Sequence, residues 1–150
     1  MTKHRFKLEP VLHYRRFKEK EHRTALRESI RQLEEEESLL SELSSRRQDW
    51  SRRLQERQTA GLKPVESRLH IRYLQRIARE IETQDVKVRQ EQKAVDQKRR
   101  EFLKSVKELR IMDRLKEKRE EAESCEHERR EQSFLNDIAV VRHNRNRTDP

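Results

Sequence analysis

One glycine and one interior proline constrain this chain more than any other feature. Gly61 is its only glycine, and Pro64 is its only proline away from Pro10 and Pro150 near the ends. Glycine just past a helix end accepts the left-handed turn that stops the helix, and proline fits the first position of the next one. Glu66 then sets a carboxylate in the new first turn, where the helix dipole favours negative charge. On either side, from Val11 to Ala60 and from Val65 to Asp149, no further glycine or proline occurs. The stretch Thr59–Val65 therefore predicts a reversal between two long helices. A single kinked helix is the other geometry such a break allows.

The supply of apolar residues decides what those helices can build. Apolar residues are 30% of the 150 and charged residues 45%, against about 45–50% and about 25% in ordinary globular domains. A layered core is out of reach. A seam between helices is not, because a coiled coil asks for two apolar positions in seven.

The expected first helix spans about residues 10–60, with apolar positions at Val11, Leu12, Tyr14, Phe17, Ala25, Leu26, Ile30, Leu33, Leu40, Leu43, Trp50 and Leu54. From Leu26 the steps alternate as heptad positions do, with a stammer expected around Arg47. The turn is expected at 61–63 and the second helix at about 64–142. In it Leu74, Ile81, Val88, Val95, Phe102 and Leu109 recur every seven residues, with Ile77 and Met112 added, while Gln84, Glu91, Lys98 and Ser105 occupy the alternate places. Half of this seam is polar.

A reversal at residue 61 makes a further demand. Facing residues of straight antiparallel helices should have numbers adding to roughly 122–124. This register sets Leu54 against Leu69, Trp50 against Tyr73, Leu43 against Ile81, Leu26 near Val95, Tyr14 against Leu109 and Val11 against Met112. It also brings Lys87 and Arg89 opposite the run Glu34–Glu37. One register pairs most of the first apolar stripe, so the expected fold is all-α: an antiparallel coiled-coil hairpin whose second helix is longer by about 30 residues, or about 45 Å.

The extra length is unevenly composed. Asp113–Ser133 is almost wholly charged, with i,i+4 pairs at Lys116–Glu120, Arg119–Glu123 and Glu126–Arg130. Apolar residues return at Phe134, Leu135, Ile138 and Val141, where no first-helix partner remains, which makes them a docking candidate. A basic tail at 143–150 is expected to be disordered.

Several function classes lose support. Nucleotide-binding loops need glycines that let backbone approach phosphate, and the chain has one glycine. The six histidines do not pair at i,i+4, which gives metal binding no basis. Straight helices form no concave pocket for catalysis, so neither enzyme activity nor a cofactor is expected. Cys125 is the sole cysteine, and no segment reaches the ~20 apolar residues of a membrane span. The N-terminus is basic without a signal-peptide core, which suits a cytosolic or nuclear protein, or one that reaches a membrane through partners.

Net charge of +9 implies an acidic partner. Lys18, Lys20 and Arg23, with Arg99, Arg100, Lys104, Lys107 and Arg110, are expected to make the terminal half of the hairpin basic. Acidic residues are interleaved with them, so nucleic-acid binding would be weak and non-specific.

Three stretches resemble the FliJ family of flagellar type III export proteins. They are Phe6-Lys7-Leu8-Glu9-Pro10-Val11-Leu12-His13-Tyr14-Arg15, Tyr73-Leu74-Gln75-Arg76-Ile77, and Leu115–Glu121 leading to Leu135-Asn136-Asp137-Ile138-Ala139. In the last, Asn136-Asp137 stands where an Asp-Glu pair is usual. The resemblance implies a non-catalytic stalk similar to the central subunit of rotary ATPases. Its implied partners are a hexameric export ATPase, an integral-membrane export gate and export chaperones, at the inner face of the cell membrane, with no small-molecule substrate and no specific nucleic acid. ATPase contacts are expected on Phe134, Leu135, Ile138, Val141 and the basic end. Gate contacts are expected near Trp50, Tyr73 and Ile77. A general coiled-coil scaffold, a weak nucleic-acid binder and the stalk of a virulence secretion system are the alternatives. The opening Phe-x-Leu-Glu-Pro-Val-Leu run favours the flagellar branch.

Overall fold

The computed structural model describes residues 7–148. The opening residues 1–6 of the basic lead, and Asp149 and Pro150, lie outside the described part, as do the side chains of Asn144 and of residues 146–148. Two α-helices make up the fold: α1, Glu9–Ala60, and α2, Pro64–Thr148. They are 52 and 85 residues long and pack against each other as an antiparallel coiled-coil hairpin. The helical assignment of α2 runs past the end expected near residue 142.

Local chemistry sets the boundaries. The Leu12 amide donates to the Leu8 carbonyl at 3.0 Å, which starts α1, with Glu9 in the first turn. At the other end Gly61 has φ of +95°, a conformation that costs an L-residue strain but not glycine. The Ser67 amide donates to the Lys63 carbonyl at 3.0 Å, so Pro64 enters where its missing N–H is not needed.

The chain divides into two compact units, Phe17–Ser105 and Met1–Arg16 with Val106–Pro150. In the unit that carries the turn, α1 lines the seam with residues 22, 26, 29, 33, 36, 40, 43, 50 and 54. On α2 the seam runs through 70, 74, 77, 81, 84, 88, 91, 95, 98, 102 and 105. Steps of three and four alternate throughout once Arg47 is counted at its place. The stammer expected there is absent: Leu40, Leu43, Arg47, Trp50 and Leu54 keep strict heptad spacing, and Arg47 simply turns its long side chain out to solvent.

Ile77 and Val95 are all but sealed, and Ser29, Gln84 and Ser105 are buried polar residues of the same unit. Two of these polar side chains, Gln84 and Ser105, make defined hydrogen bonds. The Ser105 hydroxyl donates to the Phe102 carbonyl at 2.7 Å, and the Gln84 amide donates across the seam to the Glu36 carbonyl at 3.0 Å and to the Glu36 carboxylate. That glutamine contact takes the place of the expected charge match. Arg89 pairs with Asp85 on its own helix at 2.7 Å instead of crossing to Glu34–Glu37. His22 meets Glu101 across the seam at 3.8 Å. Hydrogen bonds from Gln97 and Lys98, with the nearby His22, hold the Glu101 carboxyl below the usual range.

The register is close to the expected one, since Trp50 meets Tyr73 and His22 meets Glu101. One pairing fails. Leu69 is 62% exposed and does not face Leu54, because Leu69 lies one residue off the seam line that passes through Ser67 and His70.

In the other unit Leu12 is fully buried, with Leu109 and Met112 half-buried on α2. Tyr14 and Val11, expected to face them, are exposed. Ion pairs supply much of the remaining contact: Arg15 with Glu108, Arg16 with Asp113 at 3.3 Å, and Lys116 with Glu9 at 3.1 Å. Lys116 thus reaches the other helix rather than Glu120, whereas Arg119–Glu123 and Glu126–Arg130 form along α2 as expected. Partly exposed pairs of this kind contribute about 0–1 kcal/mol each and weaken with salt.

Two outcomes follow from this packing. Ile77→Ala should cost about 2–5 kcal/mol of stability in denaturant unfolding, while Leu69→Ala should stay within about 0.5 kcal/mol. Comparable losses for both would mean that Leu69 belongs to the seam. Raising the salt concentration should speed amide exchange at residues 11–16 while leaving residues 77–95 protected, because the first segment leans more on ion pairs. Equal sensitivity of the two segments would contradict that assignment.

Candidate partner-docking surfaces

Trp50 is the chain's only tryptophan and stands half-buried on α1 near the turn. Its ring lies 4.5 Å from that of Tyr73 and 5.4 Å from that of His70, both tilted against it. Arg53, one turn on, places its guanidinium 6.0 Å from the indole centroid. Tilted ring pairs at this separation contribute about 0.5–1.5 kcal/mol beyond area burial, and an exposed cation over indole about 0.5–1 kcal/mol. The cluster fixes Trp50 while leaving part of its face in water.

Ile77, expected beside these two as a contact residue, is 1% exposed. A β-branched residue on the seam line is drawn inward, so Ile77 supports the surface from beneath and offers no area of its own. Arg76, its neighbour, points to solvent and pairs with Glu80 at 2.9 Å.

The second surface lies on α2 beyond the reach of α1. The last half-buried side chain there is Glu123, and from Ser124 to His143 every side chain is exposed. Phe134 is 65% exposed and Leu135, Val140 and Val141 nearly as much, with Ile138 less so. Phe134, Ile138 and Val141 follow one another at steps of four and three and share a face. That face is not a continuation of the seam. Extending the seam's alternation from Glu123 leads through Ser133, Asp137 and Val140, about 100° away around the helix. Sequence order alone identified these apolar residues; their offset from the seam needed the burial pattern.

The basic end expected from Lys18–Arg23 and Arg99–Arg110 is partly neutralised in place. Lys18 pairs with Glu21 at 2.8 Å and Arg23 with Glu19. Across α2, Glu101 takes Lys98 at 3.3 Å. Among the described residues no group of three or more His, Cys, Asp or Glu side chains could hold a metal ion, and no helix is long and apolar enough to cross a membrane. Cys125 is exposed on α2.

The aromatic cluster is measurable. A double-mutant cycle with Trp50→Ala and Tyr73→Ala should return a coupling of about 0.5–1.5 kcal/mol in unfolding experiments. Purely additive losses would mean that the rings do not support one another.

Residues 4–148 match the sequence profile of the family described as Flagellar FliJ protein. No curated protein matches the chain significantly. Among solved structures, a putative YscO homolog from Chlamydia trachomatis superposes with a TM-score of 0.55 at 21% identity, covering 97% of this chain and 99% of that one. At that identity the likeness concerns the fold, which the two share over nearly their full lengths. The profile match spans almost every residue of both helices, and on that ground the chain belongs to the flagellar FliJ family.

Proposed function

We propose that this protein is the non-catalytic stalk and adaptor of a flagellar type III protein export ATPase complex. It promotes assembly of the hexameric ATPase ring and couples it to the integral-membrane export gate and to export chaperones. It works in the cytoplasm, held at the inner face of the cell membrane by the export apparatus. Family membership supports the export setting, and so does the fold shared with a putative YscO homolog.

The observation that carries the reading is the uncovered stripe Phe134, Ile138 and Val141, with Leu135 beside it. A single helix presenting such a stripe, turned off the line of its own seam, is built to be covered by something other than α1. The ATPase ring is assigned to that stripe. The gate is assigned to the turn-bearing unit, where Trp50 and Tyr73 are held half-exposed and Ile77 locks the helices beneath them.

Truncating residues 134–150 should abolish most of the stimulation of ATP turnover and ring formation by the purified protein. The truncated chain should keep its cooperative unfolding, since the seam ends before residue 134. Unchanged ring formation and turnover would remove the assignment of the stripe.

A further inference from the structure

The charge of this chain is concentrated around its turn. Residues 46–79 hold ten Lys and Arg against three Asp and Glu, a net of +7 out of the chain's +9. The other 116 residues, with 28 cations and 26 carboxylates, are close to neutral. This excess comes from the part of the hairpin within about 25 Å of the turn along each helix.

Its densest face is on α2. Val65, Arg68, Leu69, Arg72, Arg76 and Arg79 fall within an arc of about 100° on the helix surface, and all six are exposed. No carboxylate lies within that arc. Arg76 is paired with Glu80 at its edge, whereas among the described residues Arg68, Arg72 and Arg79 have no acidic partner. Among the described residues the neighbouring Arg57 and Lys63 have none either. Val65 and Leu69, at 64% and 62% exposure, close the face at its turn end.

From this face we infer a binding site for the surface of an anionic phospholipid bilayer, with the first turns of α2 laid along the headgroups. Four arginines spread over about 16 Å of helix present planar forks suited to phosphate oxygens. The face is a convex helix side without a groove, which fits a flat, phosphate-bearing surface better than an enclosed peptide. Nucleic acid would also offer phosphates. It would leave Val65 and Leu69 unused, since aliphatic side chains do not stack on bases, and the nearby rings of Trp50, Tyr73 and His70 are engaged with one another. In a bilayer the same two side chains enter the headgroup boundary as the arginines meet the phosphates. The inference is independent of the ATPase assignment, because it uses neither the Phe134 stripe nor the terminal unit.

The test is co-sedimentation of the full chain with phosphatidylglycerol-rich vesicles and with pure phosphatidylcholine vesicles at about 150 mM salt, where unscreened attraction extends only about 8 Å. Binding to the anionic vesicles alone is expected. Three exposed-site variants separate the contributions, each checked for unchanged helicity and melting. Arg68→Gln/Arg72→Gln/Arg79→Gln should reduce partitioning about a hundredfold, at about fivefold per charge. Val65→Ser/Leu69→Ser should reduce it about tenfold. Phe134→Ser/Val141→Ser should leave it unchanged. The inference is overturned by equal binding to neutral vesicles, by no binding to anionic ones, or by a triple variant that binds like the parent. It is also overturned if the triple variant loses affinity for duplex DNA while the Val65/Leu69 variant keeps its full partitioning, which would assign the face to nucleic acid.

Discussion

The structure depends on two stripes that keep step across a turn. Each helix offers the other a line of residues at alternating steps of three and four, and Gly61 with Pro64 sets where one line is folded onto the other. Within the turn-bearing unit these stripes are the main contact between the helices. With 30% apolar residues there is no second layer and no core beneath the seam. A one-residue slip would rotate each stripe by about 100° and expose Ile77 and Val95 together. The left-handed turn at Gly61 is therefore a small local feature with consequences along both helices.

The seam is unusual in how much of it is polar, and the polar positions differ in kind. Gln84 crosses to Glu36, so its amide is satisfied only when these two residues face one another. A buried hydrogen bond of this sort costs desolvation and returns it in one register, the best-attested use of polar groups in coiled coils. Ser105 bonds to its own helix and fixes no register. In the terminal unit, Arg15, Arg16 and Lys116 reach carboxylates across the helices around a single sealed leucine, Leu12. Apolar burial dominates near Ile77, and screened charge matters more near Leu12. Local opening is accordingly expected to be easier at the chain ends than in the middle of the turn-bearing unit.

Function follows from what the seam leaves uncovered. α2 is 33 residues longer than α1, so part of it has no internal partner, and the apolar residues there are free for an external one. At the turn the surface is different in character: a fixed aromatic cluster on one side and an arginine-rich face on the other. A chain of the flagellar FliJ family built this way offers chemically distinct surfaces on one hairpin, one apolar and the other cationic.

The sequence by itself determined the hairpin, because Gly and Pro occur together in one interior place and the sevenfold recurrence from Leu74 to Leu109 admits no strand. It also determined that Phe134, Leu135, Ile138 and Val141 would lack a partner, since α1 is too short to reach them. Only the packed structure decided which side of a residue meets the seam. Leu69 and Val11 are apolar and near their expected partners in number, yet both are exposed, because one residue of helix is about 100° of rotation. Ile77 looked like a contact residue in the sequence and became a sealed one, whereas Arg47, expected to mark a stammer, keeps its heptad place by turning outward. Ion pairing was decided there too. Arg89, expected opposite Glu34–Glu37, pairs with Asp85 on its own helix, and Lys116, expected with Glu120, reaches Glu9 on the other. Spacing along a helix fixes which residues can share a face; the partner's surface fixes which of them are used.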